Sequence, residues 1–223
     1  MNRPSRNRAA RRARHEGAAG FSIMELLIAM TILLVMMVGA SQLLMSSLNV
    51  RARENQKSDA LADAQRAINI MSREIANSGF GLDYNGIVAA DAHPTTAADP
   101  ITAQIRVRAN TSNNDASISQ ADEDITFVYQ GAPTFAVVRY DDVTKSRTVL
   151  ASRIDAMQIT YIDAAGGTST LATPAVVSNA VRVRITIQVD LRQTGNQATS
   201  QPPKVLLTSD IALRNAPSVA RRY

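Results

Sequence analysis

With 223 residues, 45% of them apolar and only 4% aromatic, the chain suits one folded domain plus a long appended element, with a core built from Val, Ile, Leu and Ala. It contains no cysteine, which excludes disulfides, thiolate metal sites and a cysteine nucleophile. The net charge of +5 is confined to residues 1–20, where Arg3, Arg6, Arg8, Arg11, Arg12 and Arg14 meet a single acid, Glu16; the rest balances at 18 basic and 18 acidic residues, so the high pI is no sign of nucleic-acid binding by the folded part.

The basic segment ends in Gly17-Ala18-Ala19-Gly20. The run 21–48, FSIMELLIAMTILLVMMVGASQLLMSSL, follows, and Glu25 is its only charge. A helix needs about 20 mostly apolar residues to cross a bilayer, and the stretch beyond Glu25 supplies them. Arginines ahead of the span place that end in the cytoplasm and the remainder outside. The run is longer than the apolar core of a secretory signal, about 7–15 residues, and its small-residue cluster precedes the core where a signal peptide's cleavage site follows it. Arg11-Arg12 matches a twin-arginine signal poorly, because Ala13-Arg14-His15-Glu16 comes next. A plain membrane anchor fits the length but leaves Glu25 unexplained. A carboxylate inside an apolar span costs about 2.5–3.5 kcal/mol on insertion scales, so its presence points to a function.

Gly20-Phe21-Ser22-Ile23-Met24-Glu25-Leu26-Leu27 resembles the class III signal of type IV pilins and pseudopilins, a Gly followed by Phe-[Thr/Ser]-Leu-Ile-Glu-Leu-Leu. The resemblance implies cleavage by prepilin peptidase between Gly20 and Phe21, and N-methylation of Phe21. It also implies that Glu25, fifth in the mature chain, pairs with the terminal amine of a neighbouring subunit. The pairing makes physical sense, because a buried carboxylate is tolerable beside a cation and costly alone.

Residues 49–77 are polar but lack Pro and Gly. Leu61, Ala64, Ile68, Met71 and Ile75 recur at steps of three and four, which predicts an amphipathic stripe facing a sheet; a coiled-coil seam is the weaker alternative over only two heptads. Ser78-Gly79-Phe80-Gly81 predicts the stop, with Gly79 as C-cap. One helix is therefore expected from about 22 to about 77, on the order of 80 Å long. Its halves are 21–48, transmembrane, and 49–79, amphipathic.

The segment 80–223 reads as a β-rich head outside the membrane. Residues 83–100, with Gly86, Pro94 and Pro100, read as a loop. Strands are predicted at 101–109, 125–130, 134–140, 148–154, 157–162, 180–192 and 204–213, and polar loops at 110–123 and 193–203. The strand 180–192 alternates most cleanly, with Val181, Val183, Ile185, Ile187, Val189 and Leu191 on one face. A long helix followed by mainly antiparallel strands predicts an α+β fold, and the resemblance implies the pilin lollipop. Met71-Ser72-Arg73-Glu74-Ile75 running into Gly79-Phe80, together with Leu213-Arg214-Asn215, resembles PilW-type minor pilins and their GspJ-like pseudopilin relatives.

No catalytic constellation emerges. The two histidines are His15, in the basic segment, and His93, beside Pro94, so neither a triad nor a multi-His metal site is supported. Asp115, Asp122, Glu123 and Asp124 lack EF-hand spacing and its Gly, and read as a solvated loop in preference to a calcium site. No cofactor or metal is expected. Arg106, Arg108, Arg182 and Arg184 lie two to a strand face; on neighbouring strands they would share a surface able to bind DNA phosphates or an acidic pilin. A solvent face with carboxylate partners such as Asp190 is the preferred reading.

The resemblance implies a single-span inner-membrane subunit with a periplasmic head, later moved into a pilus filament. Its implied partners are prepilin peptidase, other minor pilins and the major pilin, the inner-membrane pilus assembly platform, and membrane lipid. Glu25 argues against the extreme tip, since family members there often lack it. The alternatives are a type II secretion pseudopilin, which shares the N-terminus and most of the head, and a pilus-associated adhesin or DNA-uptake module.

Overall fold

A computed structural model describes residues 20–89, 101–112, 117–191 and 204–216. The chain is α+β: a long N-terminal helix, α1 (Ile23–Ala76), precedes antiparallel sheets. It divides into two compact units, one up to Val50 and one from Arg51 onward.

In the first unit α1 is apolar on every side from Leu26 to Ala40, Thr31 excepted, and all its residues through Val50 are exposed. It is long and apolar enough to cross a membrane.

In the second unit the rest of α1 buries one stripe, Ala60, Ala64, Ala67, Ile68, Met71 and Ile75. The expected stripe is rotated slightly, because Leu61 is only half-buried while Ala60 and Ala67 are buried. Alanines on the contact side let the helix approach the sheets closely. Gly79 ends the helix region at φ 75°, a left-handed conformation that suits glycine.

Two sheets face this stripe. The first is a meander in the order β1 (Ile87–Val88), β2 (Ile101–Arg108), β3 (Asp124–Gln130), β4 (Ala136–Asp141), β5 (Ser146–Ser152). The second runs β7 (Thr168–Ser169), β6 (Ile154–Asp163), β8 (Ala180–Asp190), β9 (Lys204–Ala212). All pairings are antiparallel. The short helix α2 (Pro174–Asn179) leads into β8, with Thr173 as N-cap and Pro174 in the first turn.

The chain passes from one sheet to the other through Arg153 alone, held at φ 62°. Ile154 N–H donates to Phe135 O at 3.0 Å and Asp190 N–H to Arg153 O at 3.0 Å, which fixes this corner. The expected strand 148–154 therefore ends two residues early, and Ile154 opens the next sheet. Strand β8 alternates as predicted, with Val183, Ile185, Ile187 and Val189 fully buried. The core joins these to Met71 and Ile75 of α1 and to Ile105, Phe127 and Val137 of the first sheet.

Strands β1 and β7, two residues each, and α2 were not anticipated. Elements of two residues carry no period to detect. For α2 the Thr173-Pro174 start signal was present, followed by too few residues to establish a stripe.

Candidate functional site

The segment Gly20–Glu25 starts α1. Ser22 is its cap: its Oγ accepts from Met24 N–H at 3.3 Å, and Ser22 N–H donates to Glu25 Oε2 at 3.2 Å. This is a reciprocal capping box, Ser-x-x-Glu, that satisfies two donors otherwise left open at a helix start. The carboxylate also lies in the first turn, where the helix dipole favours negative charge. Glu25 thus has a partner in its own chain, which the sequence reading overlooked even though the Ser22/Glu25 spacing carries the signal. Phe21 is 82% exposed, and Gly20 beside it is exposed too, so the expected cleavage bond is open to approach. The basic leader before Gly20, with His15, lies outside the described residues, as do His93 and Asp115.

The structure does not assemble the four arginines into one patch. Arg106 and Arg108 stand on β2 in the five-stranded sheet, Arg182 and Arg184 on β8 in the four-stranded one. Each pair has an acid on the adjacent strand. Arg106 grips Asp124 with two bonds of 2.7 Å, and Arg108 adds a third at 3.0 Å. Arg184 holds Asp210 through bonds of 2.5 and 2.7 Å. Those bonds, with Arg182 nearby, keep the Asp210 carboxyl below its usual range. Carboxylate partners of the kind the preferred reading expects are present, with Asp124 and Asp210 on neighbouring strands.

The solvated acidic loop is also corrected. Glu123 is fully buried and accepts from the N–H groups of Ser112, Ser119 and Gln120, at 3.1, 3.1 and 2.9 Å. Asp124 is buried under its two arginines. Among the described acids of this loop only Asp122 fits the expectation of exposure, and even it pairs with Arg139 at 2.6 Å. These acids organise the turn. Among the described residues no three His, Cys, Asp or Glu side chains come together to hold a metal.

Arg139 also reaches Glu74 of α1 at 3.0 Å, tying the helix to β4. Burial pushes the Glu74 carboxyl up, more than Arg139 pulls it down. Nearby, burial pushes Asp141 up, yet the N–H groups of Asp122, Thr144 and Val143 outweigh it and leave the carboxyl below its ordinary value. A cleft of about 350 Å³ opens beside Glu74, Asp122 and Arg139, walled by Val107 and Ile125.

The end of α1 is bound into a node. Gly79 N–H donates to Arg108 O at 2.8 Å, and a side chain at Gly86 would collide with the Gly79 backbone. Arg214 N–H donates to Ala76 O at 3.2 Å, Arg214 Nη1 to Asn77 Oδ1 at 3.0 Å, and Asn215 Nδ2 to Ser78 O at 2.9 Å. The helix end and the segment 213–215, remote in sequence, therefore meet. No protein-family model matches the chain, and no curated protein matches it.

Proposed function

We propose that this protein is a non-enzymatic filament subunit of the type IV pilin-like class, a minor pilin of the PilW type that primes or supports pilus assembly. The observation that carries the reading is the N-terminal string itself: a basic leader, Gly20-Phe21, Glu25 four residues further on, and then a helix that is apolar nearly all round to Ala40 and exposed through Val50. Such a surface has to be covered by lipid or by other subunits. In this reading prepilin peptidase cuts after Gly20 and the new Phe21 amine is methylated. The subunit waits as a single-span inner-membrane protein with its head in the periplasm, and then moves into the filament.

The capping box sharpens the step. Ser22 N–H donates to Glu25 Oε2, which leaves Oε1 to accept an ammonium from a neighbour's Phe21. The cap survives cleavage, because Ser22 keeps its amide. The node that joins Met71–Phe80 to Leu213–Asn215 supports treating those two stretches as one unit of a PilW-type head. The separation of the four arginines favours assembly over nucleic-acid capture.

N-terminal mass spectrometry of the membrane-extracted chain tests the reading. The expected species begins at a methylated Phe21; a chain that keeps its leader, or is trimmed beyond residue 48, overturns it. Glu25→Ala is expected to leave cleavage intact and to lose incorporation into filaments. Normal piliation in that variant would remove Glu25 from the mechanism.

A further inference from the structure

The leader arginines are not the only cations flanking the apolar half of α1. Arg51 and Arg53 follow directly after Val50; Arg51 is exposed and Arg53 half-exposed. Neither makes a hydrogen bond or ion pair with a described residue. The next two cations along the helix are each already paired, Lys57 with Glu54 at 2.8 Å and Arg66 with Asp63 at 3.0 Å.

The distance along the helix gives these two a setting. Ile23 to Arg51 is 28 residues of continuous α1. At about 1.5 Å per residue this is about 42 Å, against about 40–45 Å for a bilayer with both headgroup layers. A tilt of about 20° shortens the span to about 39 Å, which still matches. With the capped N-terminus in one headgroup layer, the Arg51 and Arg53 guanidinium groups fall in the other. They lie two residues apart, so they leave the helix about 200° from one another, on nearly opposite sides. Their long apolar stems suit a residue whose base is in hydrocarbon and whose head is among phosphates, and a guanidinium matches two phosphate oxygens at once.

We infer that Arg51 and Arg53 form a collar that binds the phosphates of anionic phospholipid headgroups in the leaflet on the head side, and so sets the depth of the unassembled subunit. The inference rests on the membrane reading of α1. Its consequence is that Glu25, half a turn inside the start of the helix, is held at the cytoplasmic interface and not in mid-bilayer. There the Ser22 amide gives its carboxylate a hydrogen-bond partner until an amine from another subunit arrives.

The test uses the full chain in nanodiscs of equal phosphatidylglycerol and phosphatidylcholine, with the lipids that stay bound counted by native mass spectrometry. Wild type is expected to retain phosphatidylglycerol in excess, with Arg51 and Arg53 each contributing about fivefold. R51Q/R53Q is expected to lose that contribution and keep only the excess held by the leader arginines, while Arg66→Gln keeps the wild-type ratio. A spin label at L48C should report a shifted depth in R51Q/R53Q. If R51Q/R53Q keeps the wild-type ratio, or wild type enters the discs without preference, the collar is wrong and the membrane reading stands. If wild type does not enter the discs, the membrane reading falls and the collar with it.

Discussion

The two halves of α1 have the same backbone geometry and opposite surroundings. From Ile23 to Ala40 the side chains, Glu25 and Thr31 excepted, are apolar around the whole circumference, and every residue through Val50 is exposed. From Arg51 to Ala76 the helix is mostly polar and buries one narrow stripe against two sheets. The second half has found its packing partner within its own chain. The first is exposed throughout the described residues. Helical conformation is thus silent about purpose here, whereas the match between apolar surface and available cover is informative.

The contrast can be broken most sharply at equivalent methionines. Met71, wholly buried, changed to Ala should cost the head about 2–5 kcal/mol, read as a lower midpoint in denaturant. Met36, 71% exposed, changed to Ala should leave the head's midpoint within about 0.5 kcal/mol. Equal losses would mean that the halves are not distinct. The converse probe is Leu33→Arg. It should weaken membrane insertion by about 2.5–3.5 kcal/mol, seen as loss from the membrane fraction, while the head's denaturant midpoint in the full-length variant stays unchanged.

A smaller effect is expected where the second half stops. Gly79 sits at φ 75° with the Tyr84 carbonyl oxygen where a Cβ would go. Gly79→Ala should therefore destabilise the head by about 1–2 kcal/mol from backbone strain, with the clash added. The smallest is a matter of pH. Asp141 has a folded pKa below its unfolded one, so its contribution is present above the ordinary carboxylate pKa and is lost as pH falls through the folded value. Asp141→Asn should flatten the acid limb of the stability curve. Glu74 has the opposite sign: its raised pKa favours the fold at low pH and ceases to do so as pH rises through it. Glu74→Gln should remove that opposing slope.

Most of this was legible because it is local. The period of α1, the stop at Gly79 and the alternation of β8 depend on neighbours three or four residues away at most. What sequence reading missed depends on distant partners. Nothing near Arg106 or Arg182 says that β2 and β8 belong to different sheets, since one residue, Arg153, turns the chain from the first sheet to the second. Glu123 looks solvated among Asp122, Asp124 and a polar run. It is buried because the chain folds the N–H groups of Ser112, Ser119 and Gln120 around it. The Ser22–Glu25 cap is visible at a spacing of three, but a carboxylate ahead of an apolar run points first to lipid and to a neighbouring amine.

The node at the end of α1 has a mechanical consequence. Ala76, Asn77 and Ser78 are each bonded to Arg214 or Asn215, just past the end of β9, and Ser72 meets Ser209 of that strand at 2.9 Å. Tension applied along the helix therefore loads several bonds side by side, and they must yield together instead of opening one after another. A domain fastened this way resists having its own helix pulled away from it.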